Sequence, residues 1–181
     1  IRTLCLSTWP EFWEKDSEDY AGRPREDVLN FSPEVPEILT RNFCPEKQGA
    51  QKVLFIPDTS GGICFDLLMV RALLRQGHKV IVALKEGFYF QAPTLWDLEA
   101  DQTLADGFNG AHVITESQIS KNDLLTRQRA NPFMVISDGT RERLNLYRTS
   151  VTFARAWKES DIILAKGQDN HRQLILNSHE F

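Results

Sequence analysis

Four short polar segments carry the residue types of phosphate and cation chemistry, and each follows a run of apolar or β-branched residues. The first is Asp58-Thr59-Ser60-Gly61-Gly62, after Lys52-Val53-Leu54-Phe55-Ile56-Pro57. Asp58 offers a hard carboxylate. Thr59, Ser60, Gly61 and Gly62 offer hydroxyls and closely approachable amides at a helix start, which together can cradle an anion. The others are residues 85–93, 138–140 and 166–170. Lys85 and Lys166 put cations at strand ends, and Lys166-Gly167 lets an ammonium and a backbone amide meet one oxyanion. Each segment also has an ordinary use: Asp-Thr-Ser-Gly-Gly is a good turn and N-cap, and a lone Lys85 is a solvated strand end. No Gly-Lys-Ser/Thr follows Gly62, and Gly61-Gly62 does not complete Gly-x-Gly-x-x-Gly, so neither nucleotide loop is present. Among the histidines, His78 is expected at the surface and His112 in a structural role. His171 alone falls near the polar edge, and no His/Cys cluster has zinc-ligand spacing.

These segments need a scaffold that brings strand ends together, and the apolar pattern supplies one. Strand-like runs at residues 52–57, 78–84, 111–115, 133–137 and 161–165 alternate with helical spacing at 63–76, 94–105, 122–129, 149–158 and 170–176. In the first helical stretch Ile63, Leu67, Val70 and Leu74 fall on one face, and Gly77 punctuates its end. Strands alternating with helices predict right-handed crossovers and a doubly wound, Rossmann-like α/β fold with a mostly parallel sheet. Ligands of such sheets bind beyond the carboxyl ends of the strands, where the four polar segments fall.

Residues 1–50 differ in texture, being rich in Pro, Glu, Asp and aromatics, and are expected to form an N-terminal extension with short helices. One helix begins near Pro10 and another spans 33–43, with Ser32 as cap and Pro33 in the first turn. Trp9, Phe12 and Trp13 read as an apolar clasp on the main domain, residues 51–181.

Length and composition bound the function. A chain of 181 residues with 41% hydrophobic and 25% charged residues suits one globular domain. The formal charge of -4 provides no bulk attraction for nucleic acid, and no apolar run is long enough to span a bilayer. Three scattered cysteines, Cys5, Cys44 and Cys64, form no disulfide framework and fit a reducing, cytoplasmic setting. Cys64, within an apolar helical stretch, is expected to be a small buried hydrophobe. The chain opens on Ile1 and is expected to be a processed product or a fragment.

Several motifs then occur in one order: Asp58-x-x-Gly61-x-Ile63-x-Phe65-Asp66, Arg75-x-Gly77-His78-x-Val80, Lys85-x-Gly87, Thr94-x-x-Asp97 and Ser160-Asp161-x-Ile163-x-Ala165-Lys166-Gly167-Gln168-x-Asn170. Over about residues 52–176 this resembles the damage-control phosphatase family, also called ARMT-like or DUF89. The resemblance implies a Rossmann-like domain that carries one divalent metal (Mg, Mn, Co or Ni) and hydrolyses small phosphorylated metabolites such as sugar phosphates or damaged cofactor precursors. It implies Asp58 as the first metal ligand, the position of Thr59 as the second, and Lys166 as the phosphate lysine, with Gly167 and Asn170 in the same loop. Against the family pattern, Thr59 replaces Asn, Gly62 replaces Glu, and Gln91-Ala92 replace Asn-Asp. Asp58 is then the sole matched carboxylate, with Asp97 and Asp138 as candidate substitutes, whereas a hard divalent cation wants several oxygen ligands.

Two readings follow. In the first the chain is a divergent metal-dependent phosphatase: Asp58 and Thr59 hold the metal, Lys166 acts with Asp58 in catalysis, and Ser60, Gly61, Gly62, Lys85, Gly167 and Asn170 hold the substrate. In the second it is a catalytically inactive relative that binds a metabolite or a partner protein. A transferase on the same scaffold is more distant, since a fold does not fix a reaction.

Overall fold

The computed structural model describes residues 41–43 and 49–176. The expected helix near Pro10, the clasp of Trp9, Phe12 and Trp13, Cys5 and Cys44 lie outside those residues, and of the expected helix over 33–43 only the last turn, 41–43, falls within them and is helical.

Five strands form the sheet: β1 (Lys52–Ile56), β2 (Lys79–Leu84), β3 (His112–Ile114), β4 (Phe133–Ser137) and β5 (Ile162–Ala165). All pair in parallel, in the spatial order β3-β4-β2-β1-β5. The three central strands are almost wholly buried, because helices cover both faces, and their polar residues Lys52, Lys79 and Ser137 stand only at strand ends. Successive residues of a strand point to opposite faces. Val53, Phe55, Val80 and Val82 therefore join one apolar cluster, while Leu54, Ile56, Ile81 and Ala83 join the other. The chain is thus an α/β, Rossmann-like, doubly wound fold.

On the first face lie α1 (Ser60–Arg75), α2 (Asp97–Ala100) and α3 (Gln102–Gly107), whose Ile63, Leu67, Val70, Leu98 and Leu104 pack on the sheet. On the second lie α4 (Lys121–Ala130), α5 (Val151–Glu159) and α6 (Gln168–Leu176), through Leu124, Phe153, Ala156 and Leu174. Hydroxyl caps start α1, α4 and α5: Thr59, Ser120 and Ser150 each accept a backbone N–H of the first turn. The helix expected over 94–105 is instead two short helices. Asp101 takes an extended conformation, and its carboxylate caps α3 by accepting from the Thr103 and Leu104 amides.

Two expectations are corrected. Cys64 is exposed, because it lies one residue, about 100° of helix, away from the buried Ile63 and so turns outward on α1. Burial of its surroundings, then the charges of Asp101 and Asp66, push its thiol above the ordinary range, which makes it a poor nucleophile. His78 is buried, not at the surface. Its Nδ1 accepts from the Gln51 amide at 3.0 Å, and Nε2 lies 3.1 Å from the Phe43 carbonyl, which ties residue 43 to the sheet. No helix among the described residues is long and apolar enough to cross a membrane.

The helices after β1 and β2 cover one face, and those after β3, β4 and β5 cover the other. Adjacent strands therefore send the chain to opposite faces at two places, between β1 and β5 and between β2 and β4. Open α/β sheets place their ligands at such switch points.

Candidate functional site

Each switch point is closed by an aspartate and a lysine arriving from its two strands. Between β1 and β5, Asp58 Oδ1 accepts from the Thr59 amide at 2.8 Å and lies 3.0 Å from the Lys166 ammonium. Lys166 extends the ladder of β5, its N–H donating to the Ile56 carbonyl at 2.9 Å, which fixes where its side chain starts. It is only 7% exposed, and its ammonium also reaches both oxygens of Asp66, at 3.1 and 2.9 Å. Asp66, on α1, is fully buried. One ammonium thus meets two carboxylates. Asn170 on α6 binds the two loops together, donating to the Pro57 carbonyl at 3.1 Å and the Lys166 carbonyl at 2.7 Å.

Gly167 makes this approach possible. Its φ is +95°, and a Cβ there would stand 2.4 Å from Asp58 Cβ. Gly167→Ala is therefore expected to cost about 2 kcal/mol from left-handed strain plus displacement of Asp58, read by chemical denaturation. A loss below about 0.5 kcal/mol would mean that the close approach is not required.

Between β2 and β4, the Lys85 ammonium donates to Asp138 Oδ2 at 2.6 Å and to Thr140 Oγ1 at 3.0 Å. Thr140 returns its amide to Asp138 Oδ1 and its hydroxyl to Oδ2, at 2.8 and 2.9 Å. Burial is the dominant influence on Asp138 and raises its carboxyl above the usual range, although Lys85 and Thr140 pull the other way.

The two switch points share one crevice of about 700 Å³. Asp58, Thr59, Lys85 and Asn170 stand on its wall, as do Ala92 and Gln91. Lys166 lies buried behind Asp58. Gly61 is exposed on the first turn of α1, while the Gly62 amide donates to Thr59 Oγ1 at 3.3 Å, and Ser60 opens the helix. His171 is exposed on α6, one residue beyond Asn170. Both candidate substitutes for the missing ligands are engaged elsewhere. Asp97 Oδ2 accepts from the Thr94 amide and hydroxyl, and Asp138 holds Lys85.

Three features of the site were not among the sequence candidates. Asp66 appeared only as a motif position, and the pairing of Lys85 with Asp138 had no spacing signal, because 53 residues separate the two. The aromatic residues 88–90 and Arg143 also line the crevice, from two loops that carry no periodic pattern.

A divalent metal does not fit the residues present. Among the described residues no group of three or more His, Cys, Asp or Glu side chains is arranged to hold one. Asp58 Oδ1 already faces an ammonium, the Thr59 hydroxyl is spent on the helix cap, and Ala92 has no donor. One carboxylate oxygen and neutral donors fall short of what a hard cation requires.

A parallel sheet with paired aspartates and lysines at its switch points defines an α/β domain of the Rossmann-like class. The family model for the damage-control phosphatase ARMT1-like domain matches residues 17–180, and the chain belongs to that family. The match reaches further toward the N-terminus than the motifs read in the sequence. The crystal structure of a DUF89 family protein from Pyrococcus horikoshii superposes with a TM-score of 0.62 at 22% identity, over 98% of this chain and 53% of that one. The chain thus spans about half the length of that relative. The comparison with curated proteins finds no match.

Proposed function

We propose that the crevice binds a small phosphorylated metabolite, the ligand class implied by its family, and that the chain binds it without metal-dependent turnover. What carries this reading is the donor set: Lys85 and Arg143 line the crevice at the strand ends, while among the described residues no group of three or more acidic, His or Cys side chains could hold a metal. The phosphate is met by Lys85 and by Arg143, both on the crevice wall, whereas Gly61 and Gly62 do not line it. A metabolite fills this role better than a partner protein because the groups converge in a concave site.

Calorimetric titration with ribose 5-phosphate, with and without Mg, Mn, Co or Ni, tests the proposal. The expected affinity is independent of metal, and Asp58→Asn, which removes a repelling carboxylate, tightens binding about fivefold. Thermal stability should not respond to metal, because a ligand that binds only the folded state would raise it.

A second reading, a metal-dependent phosphatase acting on sugar phosphates or damaged cofactor precursors, is favoured by the family and by the Asp58 carboxylate on the crevice wall. Hydrolysis of an aryl phosphate that needs metal and disappears in Asp58→Ala would establish it and overturn the first.

A further inference from the structure

The loop between β2 and α2 holds three consecutive aromatic residues that the core does not use. Phe88 is 84% exposed and Phe90 77%, although burying such rings is favourable in water. The loop is nevertheless firmly built. The Lys85 amide donates to the Pro93 carbonyl at 2.9 Å, the Leu95 amide to the Lys85 carbonyl at 3.2 Å, and the Ala92 amide to the Tyr89 carbonyl at 3.0 Å. At its tip Phe90 sits at φ +47°, a left-handed conformation that costs a residue with a Cβ. It is the one non-glycine residue so placed among the described residues. Strain held in an anchored loop points to a use for the ring it displays.

The rings stand where the proposed ligand would pass. Phe88, Tyr89 and Phe90 line the crevice beside Lys85, whose ammonium lies 5.6 Å from the centre of the Tyr89 ring. Tyr89 and Phe90 meet edge to face at 4.9 Å, which fixes their relative tilt. Phe90 also borders two adjoining grooves, one of them shared with Arg143. A crevice of about 700 Å³ is far larger than a phosphate group needs and falls within the range of whole-metabolite sites. A planar guanidinium and several ring faces around one cavity are what a flat π-system stacks on.

Building on the phosphate-binding reading, we propose that the ligand carries its phosphate on a flat aromatic ring system, of the nucleotide or flavin type, which stacks on Phe88 and Phe90. The ring faces discriminate between ligands, and the strand-end groups hold the phosphate common to all of them.

The test compares AMP, UMP and flavin mononucleotide with ribose 5-phosphate, by calorimetry on the 181-residue chain. At least one ring-bearing probe should bind about tenfold tighter than ribose 5-phosphate. In the double variant Phe88→Ala/Phe90→Gly that preference should fall below about twofold. Glycine accepts the φ of residue 90, and an unchanged thermal midpoint confirms that the variant is folded. Equal affinity for all four probes, or a preference that survives the double variant, overturns the ring proposal and leaves phosphate binding standing. Failure of all four to bind overturns both.

Discussion

Lys166→Met is expected to destabilise the protein by about 3–5 kcal/mol, the usual cost of breaking a buried ion pair by removing one member. The lysine is nearly buried and pairs with two carboxylates: Asp58, which is partly exposed, and Asp66, which has no solvent access. Water can answer Asp58 when the ammonium goes, but it cannot reach Asp66. The expected pattern is therefore asymmetric. Pairing Lys166→Met with Asp66→Leu, which replaces the buried ion pair by hydrocarbon, should recover most of the loss, whereas Lys166→Met with Asp58→Asn should recover little. Urea denaturation of the three variants reads both. A single-variant loss below about 1 kcal/mol would mean that the ion pair contributes little. Equal recovery by the two partners would place the unpaired charge at Asp58. The same cluster bears on function, because an ammonium held from behind by Asp66 is fixed in position next to Asp58 and cannot swing freely toward an anion.

The fold was legible because its signals are local. Runs such as Lys52–Ile56 and Phe133–Ser137 are too short and too uniformly apolar for anything but buried strands, and their alternation with amphipathic helices predicts a parallel sheet. The split at Asp101 was not legible. Asp is a poor helix interior residue but a strong cap, and whether it ends one helix or sits within a longer one is decided by packing. Cys64 was hidden for a related reason: the apolar stripe of α1 is plain in the sequence, but a single position of rotation separates its buried and exposed edges.

The candidate site was legible only in part. Strand-end placement brought Asp58 and Lys166 to one switch point, since both sit just past strands that pair side by side. Asp66 was obscured because a fully buried aspartate on a helix face looks like an exposed polar position until a distant lysine is folded against it. The strain at Phe90 has no sequence signature at all, because nothing local marks a phenylalanine for positive φ.

At the other switch point, Lys85→Met should produce a defect that depends on pH. Asp138 is buried, and burial already lifts its carboxyl above the ordinary 3.8 despite the opposing pull of Lys85 and Thr140. Removing Lys85 deletes the strongest of those opposing influences, so the carboxyl rises further. A group whose folded value lies above its unfolded value binds a proton more tightly in the folded state. Its contribution is complete below the unfolded value and is lost as pH rises through the folded one. The variant should therefore fall short of the parent by about 3 kcal/mol at neutral pH, where Asp138 is buried, charged and unpaired. The deficit should shrink steadily as pH falls toward 4 and the carboxyl takes up its proton. Urea denaturation of parent and variant at pH 7.5, 6 and 5 measures the gap. Adding Asp138→Asn to Lys85→Met should flatten it, since no titrating group then remains at the pair. A deficit of constant size from pH 7.5 to 5 would mean that Lys85 acts through packing of its aliphatic stem rather than through its charge.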